Sequence, residues 1–150
     1  MSKKIIISLI VAIALCNCVF VFPAAAITQK YQWTGTKGYS VTAIFSYDET
    51  KVSEIISEQG NGKTDQLQSL TVTFYNPDGE RIREYQNVID GVAQGNYFQF
   101  NFDPKTQQVL NDIDLGGEVA GDIYLKGKSN DSLSLVTVEP SGKEKIIDRN

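Results

Sequence analysis

The strongest constraint in this sequence is a two-residue alternation of apolar and polar side chains that begins at Tyr31 and recurs along the rest of the chain. Residues 97–102 alternate strictly, and Phe98, Phe100 and Phe102 share one face. Successive side chains of a β-strand point to opposite faces of a sheet, so these three phenyl rings indicate the buried face of a strand. Other stretches rich in Tyr, Phe, Val, Ile and Thr repeat the pattern. The sequence therefore predicts an all-β protein.

Short turn signals separate the alternating stretches. The clearest is Asn76-Pro77-Asp78-Gly79, in which proline presets the first central position and glycine permits a positive φ. This turn joins strands predicted over residues 67–75 and 81–88, and Lys37-Gly38 joins another hairpin. The remaining strands are predicted over residues 31–36, 39–47, 97–102, 108–115, 119–126, 132–139 and 144–147.

About eight or nine strands at this spacing predict a single antiparallel domain, either an up-and-down barrel or a β-sandwich. Parallel pairing needs a long crossover, and only residues 48–66 could provide one. That segment is polar and contains Gly60-Asn61-Gly62, so it predicts a surface excursion, with Asp48 capping a short helical turn through Glu58. The succession of short hairpins favours the barrel.

The first 26 residues have the pattern of a signal peptide. Lys3 and Lys4 precede an apolar run over residues 5–22, and a proline then leads to Ala24 and Ala26, which fit an A-x-A cleavage site. We therefore expect a signal-peptide helix over residues 1–26 and a β domain over residues 27–150. The protein is predicted to be exported, to the periplasm or beyond.

Two alternatives keep the chain on the membrane. Residues 5–22 are as long as a short spanning helix, which needs roughly 17 residues, so the signal could remain as an uncleaved anchor. Lipidation at Cys16 or Cys18 would give a lipoprotein. In the preferred interpretation, the membrane is contacted only through the signal peptide.

Charge and composition exclude several function classes. Cleavage after Ala26 leaves 12 of the 14 basic residues against 18 acidic ones, a formal charge of −6, which repels nucleic-acid phosphates. The chain contains no histidine, which excludes histidine-dependent hydrolases and most zinc enzymes. Both cysteines lie in the signal segment, so the mature domain must be stabilised by packing alone. No cofactor is expected.

Several segments together resemble a known group of proteins. These are Phe45-Ser46-Tyr47-Asp48-Glu49, the run over residues 70–79, and residues 98–117 with their Asn-Phe-Asp-Pro and Asp-Leu-Gly-Gly elements. They resemble small exported β-proteins of cyanobacteria, many of which carry a C-terminal PEP-CTERM sorting tail. The resemblance spans most of residues 31–148 and implies export, but no activity. The present sequence ends without a Pro-Glu-Pro motif, so no C-terminal anchor is expected.

Two acidic groups are candidates for chemistry. Asn76, Asp78 and Glu80 alternate as in part of a calcium loop, but the acid needed at the twelfth position is replaced by Asn87, so a turn is favoured and no metal site is expected. The second group comprises Asp112, Asp114, Glu118 and Asp122. Its first two members share a strand face about 7 Å apart, as a carboxylate dyad could, but a solvated face of an acidic antiparallel sheet is the favoured interpretation.

Aromatic residues suggest either sugar stacking or an apolar cavity. Tyr75, Tyr97 and Tyr124 lie opposite predicted core positions, so they are expected on the surface, and whether they form a row depends on strand order. If the fold were a calycin-like barrel, Phe98 and its phenylalanine neighbours would line a cavity for an apolar ligand.

These observations favour a non-enzymatic exported β-domain that acts by binding or as an envelope component. The alternatives are a carrier of a small apolar ligand and a carboxylate-dependent hydrolase. Possible partners are a protein, a glycan or a small apolar molecule; the sequence designates neither a catalytic residue nor a particular ligand-binding residue, and it does not define the oligomeric state.

Overall fold

The computed structural model describes residues 25–52 and 54–150, and within these residues it contains thirteen β-strands. They are β1 (Ala26–Thr34), β2 (Ser40–Asp48), β3 (Ile56–Gln59), β4 (Gly62–Lys63), β5 (Leu67–Tyr75), β6 (Arg81–Ile89), β7 (Val92–Ala93), β8 (Gln99–Asp103), β9 (Gln108–Val109), β10 (Asp112–Gly116), β11 (Ile123–Lys128), β12 (Ser132–Val138) and β13 (Glu144–Arg149). The prediction of an all-β protein is confirmed. The predicted count of eight or nine is too low because strands of two to four residues carry too little alternation to be recognised.

The strands form two antiparallel sheets. Sheet A has the order β1-β2-β5-β6-β7-β4, and sheet B has the order β13-β12-β11-β10-β8-β3, with β9 paired to β8. In the described residues neither sheet closes on itself, so the barrel alternative is wrong and the sandwich alternative is correct in outline. The physical reason is that the chain leaves sheet A after β2 and after β7, which splits the succession of hairpins between two layers.

The hydrophobic core lies between the two sheets. On β2, Val41, Ala43, Phe45 and Tyr47 are buried, as the alternation predicts. The Phe45 ring centroid lies 4.8 Å from that of Phe100 and 4.8 Å from that of Phe102, both in edge-to-face geometry. These contacts are the arrangement that aromatic pairs prefer. Inward side chains of sheet A and sheet B therefore interlock directly.

The predicted hairpin over residues 67–88 is present as β5 and β6. In its turn, the Asn76 side-chain oxygen accepts hydrogen bonds from the amides of Asp78 (3.0 Å) and Glu80 (2.9 Å). The Asn76 side-chain amide donates to Glu80 Oε2 at 2.9 Å, and Gly79 has a φ of +80°. The side chains of Asn76 and Glu80, two of the three groups considered as calcium ligands, are thus used in the turn.

Residues 48–66 differ from the prediction. Asp48 does cap a helical turn, accepting a hydrogen bond from the Thr50 amide at 3.0 Å, but the turn is a single 3-10 turn over Glu49–Lys51. The chain then enters sheet B as β3, where Ile56 and Glu58 are buried on one face. The Glu58 carboxylate accepts hydrogen bonds from three consecutive backbone amides, of residues 65–67. A buried carboxylate therefore organises a segment whose composition is typical of a loop.

Two other predicted strands are interrupted. Residues 108–115 divide into β9 and β10 because Asn111 takes a left-handed backbone, with φ of +53°. Val119, predicted to begin a strand, is 66% exposed in the turn before β11. That turn is held by Asp122, whose Oδ2 accepts hydrogen bonds from the amides of Glu118 (2.9 Å) and Val119 (3.0 Å).

The last strand is tied to the first hairpin by Asp148, which is 1% exposed. Its carboxylate accepts hydrogen bonds from the backbone amides of Lys37 (2.9 Å), Tyr39 (3.1 Å) and Arg149 (2.8 Å). Burial alone would raise the pKa of this carboxyl, but these hydrogen bonds outweigh burial and hold the pKa below its usual range. Asp148 thus joins the edge of sheet B to the β1–β2 turn of sheet A.

The predicted signal segment lies largely outside the described residues. Ala24, Cys16 and Cys18 belong to that part, whereas Ala26 is the first residue of β1. Among residues 25–52 and 54–150, no helix has the length and apolar character required to cross a bilayer.

Candidate functional site

The candidate site is a shallow cavity of about 320 Å³ on the outer face of sheet B, which we name the outer groove. It is lined by Tyr97, Asp114, Gly117, Glu118, Tyr124, Lys126, Val138, Gly142 and Glu144. Ile113, Leu115 and Leu125 point into the core, so the alternating residues Asp114 and Lys126 point outward. The groove therefore lies on the face of sheet B opposite the core.

Strand pairing sets the floor of the outer groove. Asp114 on β10 lies directly opposite Lys126 on β11, and Tyr124 precedes Lys126 by two residues on the same face. Tyr124 is only 5% exposed although it lies outside the main core. Its register partner on β12 is Val136, which is also buried. Sheet B therefore buries apolar surface on both faces at this point.

One ammonium and one tyrosine hydroxyl converge on Glu144. Lys126 Nζ forms an ion pair with Glu144 Oε2 and lies 5.5 Å from the centroid of the Tyr124 ring. Hydrogen bonds from Lys126 and then from Tyr124 hold the pKa of Glu144 below its usual range. Burial, followed by the hydrogen bond to Glu144, raises the pKa of Tyr124. On the β13 side of the groove, the negative charge of Glu144 is therefore balanced by the ammonium of Lys126.

Asp114 lacks such compensation. Burial raises its pKa to about 7; Lys126 partly opposes this shift, and the negative charges of Glu118 and Glu144 add to it. The facing ammonium of Lys126 is already engaged by Glu144. Asp114 is thus a half-buried carboxyl on the groove floor that changes its charge close to neutral pH.

The opposite wall presents an aromatic ring to solvent. Tyr97 precedes β8 and is 70% exposed. Its backbone amide donates a hydrogen bond to Glu118 Oε1 at 2.6 Å. Glu118 therefore fixes the backbone that carries Tyr97, while the tyrosine ring itself remains free at the groove.

Sheet A supports this wall from beneath. The Tyr85 hydroxyl donates a hydrogen bond to Asp122 Oδ1 at 3.1 Å, and Asp122 in turn holds the turn that carries Glu118. The Asn87 side chain donates to the Gly116 carbonyl at 2.8 Å and accepts from the Gly116 amide at 2.9 Å. These contacts from β6 join the two sheets where the groove wall begins.

The predicted acidic cluster is brought together only in part. Asp114 and Glu118 line the groove, Asp122 supports its wall, and Asp112 is exposed outside the lining. Sequence analysis missed Lys126 and Glu144. The alternation of β11 contained the signal for Lys126, whereas Glu144 could be placed only with the order of β11, β12 and β13 known.

The tyrosines and phenylalanines also sort into different places. Tyr97 and Tyr124 both line the groove, whereas Tyr75 lies at the end of β5 in sheet A. The expectation that Tyr124 is on the surface is wrong, because its neighbours on sheet B cover it. Phe98, Phe100 and Phe102 are core residues in a sandwich rather than the lining of a barrel.

A wider cavity of about 740 Å³ lies at one end of the sandwich, near Asp48 and Gln66. Its charged groups are of both signs, and Lys51 lies 3.6 Å from Asp48 in an ion pair. This cavity presents no aromatic ring. The outer groove combines an exposed ring with a carboxyl whose charge is only partly compensated, and it is therefore the stronger candidate.

Comparisons with protein-family models, curated proteins and solved structures gave no match to this chain. Function is therefore inferred from the groove itself.

Proposed function

We propose that this chain is a non-enzymatic binding domain of an exported protein and that it binds a glycan in the outer groove. The observation that carries the proposal is the exposed ring of Tyr97 beside a groove lined by carboxylates and an ammonium. Nucleic acid is disfavoured as a ligand because the mature charge of −6 repels phosphates.

The chemistry of the groove suits a polyhydroxylated ligand. A tyrosine ring offers an apolar face against which the C–H face of a sugar can stack, while its hydroxyl remains in water. Ionised carboxylates accept strong hydrogen bonds from sugar hydroxyls, and the ammonium of Lys126 can donate one. A shallow open groove across several strands also suits an extended chain of sugar units better than a small enclosed molecule.

An apolar carrier is less well supported. The ring of Phe45 in sheet A packs against those of Phe100 and Phe102 in sheet B, so these rings are satisfied by packing. The groove on the outer face is polar. A small apolar ligand would therefore find complementary surface in neither place.

Removal of the Tyr97 ring should weaken glycan binding without unfolding the domain. The probes are four neutral hexasaccharides, built from α-1,4-glucose, β-1,4-glucose, β-1,4-xylose and β-1,4-N-acetylglucosamine, titrated into isotopically labelled mature protein. We expect at least one of them to shift amide resonances around the outer groove. The Tyr97→Ala variant should bind that probe about tenfold more weakly, since stacking contributes roughly 1 kcal/mol or more.

The matched control is Tyr75→Ala, which removes a tyrosine from sheet A and should leave affinity unchanged. Both variants should melt within about 2 °C of the parent, because neither ring is in the core. The glycan proposal would be abandoned if none of the four probes shifted groove resonances, or if both variants weakened binding equally.

The carboxylate-dependent hydrolase is a second candidate, favoured by the pKa of about 7 at Asp114, which suits a general acid at neutral pH. The same four hexasaccharides distinguish it from a binding domain. Appearance of new reducing ends during the titration, lost in Asp114→Asn, would replace the binding proposal by the enzymatic one.

Export gives a separate prediction. Cleavage after Ala26 removes only the first residue of β1, so the domain can fold with Ile27 at its terminus. This interpretation is also supported by the resemblance to small exported cyanobacterial β-proteins. Mass spectrometry of the protein secreted from a bacterial host should give the mass of residues 27–150; the mass of the full chain, or a lipid-modified mass starting at Cys16 or Cys18, would contradict cleavage at this site.

A further inference from the structure

We propose that Asp114 is a proton-linked binding group, so that the outer groove binds its glycan tightly when this carboxyl is ionised and releases it when the carboxyl is protonated. The inference rests on the proposed function and goes beyond it by assigning a control element to the groove floor.

Charge is unequally distributed in the outer groove. Three carboxyl groups line it, those of Asp114, Glu118 and Glu144, together with one ammonium, that of Lys126. The ammonium is paired with Glu144, and Glu118 accepts a hydrogen bond from the Tyr97 backbone. Asp114 is thus the carboxyl of this groove whose charge is left for a ligand to satisfy.

The position of Asp114 on the groove floor is also fixed by the sheet. Asp114 lies in the middle of β10, opposite Lys126, with core residues on either side of it in sequence. Its backbone is fixed in the ladder between β11 and β8, which limits how far the carboxyl can move. The charged or titratable groups facing it are Lys126 and Tyr124 from β11, Tyr97 from the segment before β8, Glu118 from the β10–β11 turn and Glu144 from β13.

The protonation state of Asp114 sets the direction in which affinity for the glycan changes with pH. An ionised Asp114 accepts hydrogen bonds from sugar hydroxyls, and these are roughly twice as strong as bonds to a neutral acceptor. A protonated Asp114 loses that advantage. Because burial raises the pKa of Asp114 to about 7, the ligand must displace one proton from the carboxyl to the solvent when it binds near or below neutral pH.

The test measures the affinity of the mature domain for the tightest of the four hexasaccharides at two pH values. If only the ionised form binds, affinity at about pH 5.5 should fall by up to roughly 30-fold from its value at about pH 8.5, in proportion to the ionised fraction. We expect Asp114→Asn to bind with nearly the same affinity at both pH values. Asp112→Asn, on the same strand and face but exposed, should retain the full pH dependence.

A second measurement needs no ligand. Carbon-detected NMR titration of the side-chain carboxyl groups should show Asp114 changing charge near pH 7 in the parent and in Asp112→Asn. Titration of Asp114 in the ordinary range for aspartate, near pH 4, would overturn the inference.

The remaining outcomes separate this inference from the proposed function. A probe that binds equally well at both pH values overturns the proton linkage and leaves glycan binding intact. Absence of binding by all four probes at both pH values overturns both, whatever the titration of Asp114 shows.

Discussion

Replacement of Asp148 by alanine is expected to lower the free energy of unfolding by about 3 kcal/mol, because backbone amides that now donate to a buried carboxylate would lose their acceptor. For a domain of this size, the melting temperature should fall by roughly 10 °C. Thermal and urea unfolding of the parent protein and of the Asp148→Ala variant measure the difference. The loss follows from the position of Asp148, which connects β13 to the turn between β1 and β2.

The loss of stability caused by Asp148→Ala should depend on pH. The pKa of Asp148 is lower in the folded protein than in the unfolded chain, where it is about 4. Its stabilisation is therefore complete above about pH 4 and is lost as the pH falls through the lower, folded value. The difference between parent and variant should shrink in that acidic range. Asp131→Ala, at an exposed position in the β11–β12 turn, is the control and should change stability little; an equal loss there would refute the assigned role of Asp148.

Gly116→Ala is expected to be as damaging, at roughly 3 kcal/mol, for a different reason. Gly116 has a φ of +133°, and a methyl group at this position would meet the backbone of β11 at the Ile123 carbonyl and, at 2.8 Å, at Tyr124 Cα. The backbone on both sides is held in a sheet, so relief requires β10 and β11 to separate. Urea unfolding should show the loss in stability, and the NMR resonances of Lys126 and Asp114 should move.

Gly121→Ala is the matched control for this substitution. Gly121 also has a positive φ, +89°, but no atom lies within 4 Å of the position that a methyl group would occupy. Only the backbone strain remains, which costs about 1 kcal/mol. If the two alanine variants lost the same stability, close approach of β10 and β11 would not be the cause.

The parts of the fold that could be predicted are those with local signals. The Asn76-Pro77-Asp78-Gly79 turn fixes a hairpin within about twenty residues, and strict alternation identified the buried phenyl rings around Phe100. Glu58 shows why other parts could not be predicted. A glutamate in a polar segment is expected to be exposed to solvent. The burial of Glu58 can be understood only once the following turn places over it the backbone amides that donate to its carboxylate.

The candidate site was predictable to a smaller extent. Asp114 and Glu118 stood out because acidic residues cluster there in sequence, and Tyr97 because it lies opposite core positions. Their assembly with Glu144 depends on two strands, β11 and β12, lying side by side between β10 and the C-terminal strand. Alternation specifies which face a residue occupies but not which strands are neighbours, so sequence could not show that these residues meet.

The position of Glu144 on β13 also gives the outer groove an order of assembly. Tyr97, Asp114 and Lys126 are synthesised before the strand that carries Glu144. Contacts between distant parts of a chain form late because loop closure must precede them. Until β13 docks, Lys126 lacks its partner and the first hairpin lacks Asp148. An incompletely synthesised chain would therefore have no finished outer groove until β13 has joined sheet B.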